Sequence, residues 1–121
     1  MKSILVVDDE EHIRLLFQDE LTDEGYHVRT AASAREGWDL IAERVPDLVI
    51  LDIRMPEQSG LEMLEDLRQR FPHLPIIMCT ALRALEDDYT IWESQVSAFV
   101  SKPVDLDDLI VKVKDAIGAP D

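Results

Sequence analysis

Basic residues are scarce in this chain: 12 Lys and Arg stand against 26 Asp and Glu, a formal net charge of −14. Such a surface repels phosphate backbones and anionic headgroups, so neither direct nucleic-acid binding nor membrane attachment is expected. Cysteine is reduced to Cys79, which rules out an internal disulfide. It lies in the apolar run IIMC, where a small buried thiol is the expectation. No apolar run is long enough to span a membrane, and MKSILVVDD is too short for a signal peptide, so a soluble cytoplasmic protein is expected. Glycine and proline are also few, at four and six in 121 residues, while 46% of residues are hydrophobic. That composition suits one domain over residues 1–121 with a core of its own, residues 118–121 being readable as the start of a linker.

What is present alternates regularly. Ile4 to Val7 is a short apolar run rich in β-branched residues, as expected of a strand buried on both faces. From Glu11 to about Glu24, Ile13, Leu16, Phe17 and Leu21 fall at helical spacing, with Gly25 placed as a stop. Tyr26 to Thr30 reads as a second, more polar strand. Ser33 can cap a helix with Ala34, Trp38, Ile41 and Ala42 on one face. A third strand over Leu48 to Leu51 leads into the loop RMPEQSG and a helix from Leu61 to about Arg70, whose inner face is Leu61, Leu64, Leu67 or Arg68, and Phe71. Pro75 to Met78 and Ala98 to Val100 are the fourth and fifth strands. The weakly patterned stretch 84–95 reads as helix, and Asp105 opens a last helix with Leu106, Leu109, Ile110, Val113 and Ile117 inward. Alternating strands and helices without hairpin signals predict a doubly wound parallel α/β sheet with helices on both faces.

In such a sheet the functional residues gather beyond the carboxyl ends of the strands. There the sequence has Asp8-Asp9-Glu10 after the first strand, Asp52 after the third, Thr80-Ala81 after the fourth and Lys102-Pro103 after the fifth. Clustered carboxylates without nearby His or Cys suit a hard cation such as Mg²⁺, for which Mn²⁺ can substitute. Asp52 stands outside the acidic run and is the natural nucleophile toward phosphorus. Lys102 and Thr80 could pair with phosphoryl oxygens, and Ala81 is small enough to leave its N–H accessible. Taken singly, Asp8-Asp9 would equally suit a solvated helix start and Thr80 a helix cap; their coincidence with Asp52 and Lys102 favours a site. Glu10 reads as a helix-start acid, and His12, His27 and His73, scattered without partner spacing, read as surface residues.

The segments VVDDE, LDIRMPEQSG, TA and SKP, in this order, make the chain resemble the receiver domain of two-component response regulators along its whole length. The resemblance implies a five-stranded flavodoxin-like (βα)5 sheet and a phosphorylation-controlled signalling module rather than an enzyme. It implies that Asp52 accepts a phosphoryl group from a sensor histidine kinase, a phosphotransfer protein or a small donor such as acetyl phosphate. Asp9, Asp52 and the backbone carbonyl of Arg54 would then ligate Mg²⁺ directly, with Asp8 acting mainly through water. Lys102-Pro103 would be a cis peptide, and Phe99 would take the place of the aromatic switch. The fourth helix, fifth strand and fifth helix would carry the signal to a downstream protein or fused output domain, and would offer a face for dimerisation. Gln95-Val96 stand where relatives often have Gly-Ala, and Glu86-Asp87-Asp88 and Trp92 are distinctive, so this output surface departs furthest from the family. Ser59 stands where Asp is common, though it can cap the next helix.

Two other readings compete. A Mg²⁺-dependent phosphohydrolase of the haloacid-dehalogenase kind would want a second acid two residues after a nucleophile on the first strand and a cap domain; Glu10 follows Asp8 at that spacing, and no segment supplies a cap. A nucleotide- or flavin-binding protein would need a Gly-rich or Ser/Thr-rich phosphate loop after the first strand, which is missing.

Overall fold

The computed structural model describes residues 1–53, 59–80 and 96–121. Along these the elements run β1 (Ser3–Val7), α1 (Glu11–Asp23), β2 (His27–Ala31), α2 (Ala34–Glu43), β3 (Leu48–Asp52), α3 (Gly60–Arg70), β4 (Ile76–Thr80), β5 (Ala98–Ser101) and α4 (Leu106–Ile117). The strands form one five-stranded parallel sheet in the order β2-β1-β3-β4-β5. The helix expected over 84–95, with Trp92, and most of the RMPEQSG loop lie outside the described residues.

Side chains alternate across a strand, and this alternation divides the core in two. Leu5 and Val7 of β1, Val49 and Leu51 of β3, and Ile76 and Met78 of β4 pack with Ile41 of α2 and Met63, Leu64 and Leu67 of α3. Ile4, Val6, Leu48, Ile50, Ile77 and Val100 turn the other way, toward Phe17 and Leu21 of α1 and Leu109 and Val113 of α4. Helices therefore cover both faces of the sheet.

The buried stripes are narrower than the sequence pattern predicts. In α1 only Ile13, Phe17 and Leu21 are buried, a stripe spaced i, i+4, i+8. Leu16, expected inside, is 39% exposed and Leu15 54%, because both lie round the helix from that line. Ala42 is likewise exposed, one step beyond Ile41. In α4 only Leu109 and Val113 are fully buried, while Leu106, Ile110 and Ile117 pack at the margin of the core. Met63, absent from the expected face of α3, is fully buried and reaches α2, where a Cβ on Gly37 would stand 3.0 Å from its Cε.

Capping follows the local sequence. Ser33 Oγ accepts from the Glu36 amide and Ser59 Oγ from the Glu62 amide, each at 3.2 Å. Asp105 accepts from the amides of Asp107 and Asp108. Arg68, whose guanidinium burial lowers its pKa, donates to the carbonyls of Phe71 and Leu74 and so closes the turn after α3. Among the described residues no helix is long and apolar enough to cross a membrane.

Candidate functional site

Strand register builds the site. Val7 of β1 lies opposite Leu51 of β3, so the next residues, Asp8 and Asp52, come side by side at the carboxyl end of the sheet. Asp52 is paired in turn with Cys79 of β4, and Thr80 with Ser101 of β5, directly before Lys102. Asp8, Asp52 and Lys102 also share a parity: each continues the alternation that sends Val6, Ile50 and Val100 toward α1 and α4. Three segments distant in sequence thus present their side chains to one face at one end of the sheet.

The geometry at that point is tight. Lys102 Nζ lies 3.0 Å from Asp8 Oδ2, 3.4 Å from Glu10 Oε1 and 3.5 Å from Asp52 Oδ2. Asp8 is 2% exposed, Asp52 4% and the Lys102 side chain 10%. Asp8 Oδ1 accepts the Glu10 amide at 2.9 Å, and Arg14 Nη1 donates to the Asp8 carbonyl at 2.8 Å, tying the β1–α1 turn to the helix. Asp9, by contrast, is exposed. The peptide bond between Lys102 and Pro103 is cis.

Electrostatics follow from this crowding. Burial raises the Asp8 pKa above its ordinary value, and the hydrogen bond from the Glu10 amide and the charge of Lys102 only partly oppose it. Burial alone would lower Lys102, but the hydrogen bond and charge of Asp8, with Asp52 behind it, more than offset that and hold it protonated well above the usual lysine range. Cys79, beneath the site and 1% exposed, is pushed by burial up to about 12 and is inert as a nucleophile at neutral pH.

Ligand atoms of Asp8, Asp9 and Glu10 all lie within 4.8 Å of one another, and every one is a carboxylate oxygen. A donor set of hard oxygens with one buried, destabilised carboxylate fits a Mg²⁺-like cation, whose charge would offset the desolvation of Asp8. The receiver-like acidic pocket is therefore present in chemistry as well as in position.

Of the sequence-predicted residues, Asp8, Asp9, Asp52 and Lys102 meet at this end of the sheet. Thr80 closes β4 at the same edge. Phe99 lies on the edge strand β5, half-buried against the α2/α3 side of the core, and its carbonyl accepts Lys112 Nζ at 3.1 Å. Arg54 and Ala81 lie outside the described residues. His12, His27 and His73 are exposed.

The family model described as the response regulator receiver domain matches residues 4–114. The chain belongs to that family. The receiver domain is 34% identical to the polar-differentiation response regulator DivK of Brucella abortus over 97% of both chains. It is 37% identical to an uncharacterized transcriptional regulatory protein, YkoG, of Bacillus subtilis, covering 94% of this chain and 50% of that one. Among solved structures it resembles the response regulator TrrA of Thermotoga maritima in complex with Mg²⁺-BeF, at 40% identity and a TM-score of 0.88, over 96% of this chain and 99% of that one.

Three participants in the receiver site were not legible beforehand. The Glu10 carboxylate reaches Lys102, although the residue read as a plain helix-start acid. Arg14 holds the Asp8 carbonyl, and its only sequence signal is a base in the first turn after an acidic run. Gly60 packs so closely under the Asp52 backbone that a Cβ there would stand 2.0 Å from the Asp52 carbonyl oxygen, while its amide donates to Ile53 at 2.8 Å. The glycine in SG before a helical pattern was the available hint.

Proposed function

We propose that this receiver domain accepts a phosphoryl group on Asp52 in a Mg²⁺-dependent reaction and relays it as a change of surface. The observation that carries the reading is the Lys102 ammonium, held between two nearly buried carboxylates that arrive from separate strands, 3.0 Å from Asp8 and 3.5 Å from Asp52. A structural ion pair needs one partner for a lysine; a buried excess of acids around one cation suits a site that receives further cationic charge and then an anion.

Asp8, Asp9, Asp52 and the Arg54 carbonyl would hold Mg²⁺, which when bound neutralises phosphoryl oxygens. An Asp52 carboxylate oxygen attacks phosphorus; the new O–P bond forms as the P–N bond of a phosphohistidine breaks, and its electron pair leaves with the imidazole nitrogen, which takes a proton from solvent. With acetyl phosphate a P–O bond breaks and acetate leaves. Beside the oxygen that the cation would neutralise, Lys102 pairs with another phosphoryl oxygen and Thr80 donates to a third, with the Ala81 N–H accessible to the same group. Movement of Thr80 toward the phosphoryl group, with Phe99 turning inward, would remodel the surface that includes β5 and α4. The donor would be a sensor histidine kinase or phosphotransfer protein, and the recipient of the signal a downstream protein or a fused output domain. The similarity to half of a transcriptional regulatory protein supports the second arrangement.

Incubation with acetyl phosphate and Mg²⁺ followed by intact-mass measurement tests the proposal. One phosphoryl adduct should accumulate in the native chain and vanish in Asp52→Asn. Continuous phosphate release at enzymatic rates with no accumulating adduct would favour a phosphohydrolase instead.

A further inference from the structure

Three helices are capped by side chains that accept their own first-turn amides: Ser33, Ser59 and Asp105. The residue in the capping position of α1 is Glu10, and its side chain makes no such bond. Its carboxylate meets side chains instead. Oε1 lies 3.4 Å from Lys102 Nζ and Oε2 3.4 Å from His12 Nε2, with the side chain 44% exposed. Glu10 and Lys102 both line an open cleft of about 490 Å³, together with Leu16, Pro103 and Val104.

We propose that Glu10 is a positioning residue that competes for the Lys102 ammonium with a phosphoryl group forming on Asp52, and thereby slows acceptance of that group from small anionic donors. The inference rests on the reading of Asp52 as phosphoacceptor. Of the three carboxylates around Lys102, the proposed function assigns Asp8 to the cation and Asp52 to the acceptor oxygen, and gives Glu10 no part in either. When a phosphoryl group forms on Asp52, Lys102 has to leave the Glu10 carboxylate to pair with it. An anionic donor coming through the cleft also meets the Glu10 charge beside Lys102. Both effects are electrostatic and oppose acceptance, and both act at a partly exposed carboxylate, so they are modest and screened by salt.

The test compares Glu10→Gln with Glu11→Gln, an equal change of charge at the neighbouring exposed acid. With acetyl phosphate and Mg²⁺, Glu10→Gln should be phosphorylated roughly two- to fivefold faster at low salt, chiefly through the dependence on donor concentration, and the gain should shrink as salt is added. Glu11→Gln should match the native chain. In the metal-free protein the side-chain NMR resonances of Lys102 should move in Glu10→Gln and stay in place in Glu11→Gln. An equal gain in both variants, or unmoved Lys102 resonances, would overturn the proposal. So would an unchanged rate in Glu10→Gln while the native chain forms its adduct, an outcome that leaves the Asp52 reading standing; a native chain that takes no phosphoryl group ends both.

Discussion

At the amino-terminal end of the sheet, hydrogen bonds to the backbone tie chain segments together, whereas at the carboxyl end three carboxylates crowd one ammonium. The Ser3 amide donates to Asp47 Oδ2 at 2.7 Å, and the Asp47 amide returns a bond to the Ser3 carbonyl at 2.8 Å. Tyr26, 2% exposed, donates its hydroxyl to the Gly118 carbonyl at 2.6 Å. The Lys2 amide reaches the Pro120 carbonyl at 2.8 Å, and Lys2 Nζ donates to the Ile117 carbonyl. Each contact ties one chain segment to another. The opposite end contains Asp8, Asp52 and Glu10 within 3.5 Å of Lys102, and burial leaves Asp8 with a raised pKa. One end of the same sheet uses polar groups to hold the fold, and the other gathers an excess of negative charge around one ammonium.

The largest effect that would sharpen this contrast is expected from Lys102→Ala. Removing the shared cation leaves two nearly buried carboxylates without it, which should lower the unfolding free energy in chelator by about 3 kcal/mol. Urea titrations with and without Mg²⁺ should show the ion stabilising this variant more than the native chain. Unchanged stability in chelator would mean that the carboxyl end is no more strained than the other. The variant should still acquire some phosphoryl adduct, but signal weakly in a partner-binding assay.

Asp8→Asn should act in the opposite direction. Burial penalises the ionised Asp8, so the neutral amide should raise the metal-free melting temperature by a few degrees while abolishing much of the Mg²⁺-dependent rise. The pH dependence has a definite sign. Because the folded value lies above 3.8, the folded chain keeps a proton that the unfolded chain has released. The native protein therefore gains stability as pH falls through the folded value of Asp8, the gain being complete below the unfolded value, and the advantage of Asp8→Asn should narrow on acidification. Thermal scans in chelator across that range check it; an advantage that widened toward acid would contradict the assigned direction.

The smallest effect belongs to the other end. Tyr26→Phe loses one hydrogen bond to Gly118 and should cost about 1 kcal/mol in urea unfolding, leaving the rate of phosphorylation at Asp52 unchanged. A change in that rate would show that the two ends are coupled.

Much of this arrangement is visible in local patterns. ILVV, LVIL and IIMC announce buried parallel strands, and a residue that directly follows such a run, such as Asp52, has little choice but to sit at the sheet edge. Serines and an aspartate before apolar periodicity mark three helix starts. Leu16 and Ala42 were harder, because how wide a stripe is buried depends on where the helix lies against the sheet. Glu10 and Arg14 were harder still, since a long side chain offers several rotamers and only the surroundings choose among them. Gly60 shows the same limit, because its need for close approach to Asp52 comes from the path of a loop.

The sequence by itself therefore determined the alternation of strands and helices, the strand-end placement of Asp8, Asp52 and Lys102, and the acidic excess, since each depends on neighbours a few residues apart. Only the tertiary structure decided that Lys102 is shared among Asp8, Glu10 and Asp52, that Asp8 is buried while Asp9 is exposed, and that Glu10 reaches Lys102 rather than capping its helix. Those outcomes depend on the register between strands far apart in the chain and on how α1 rests against them, and no local pattern carries that information.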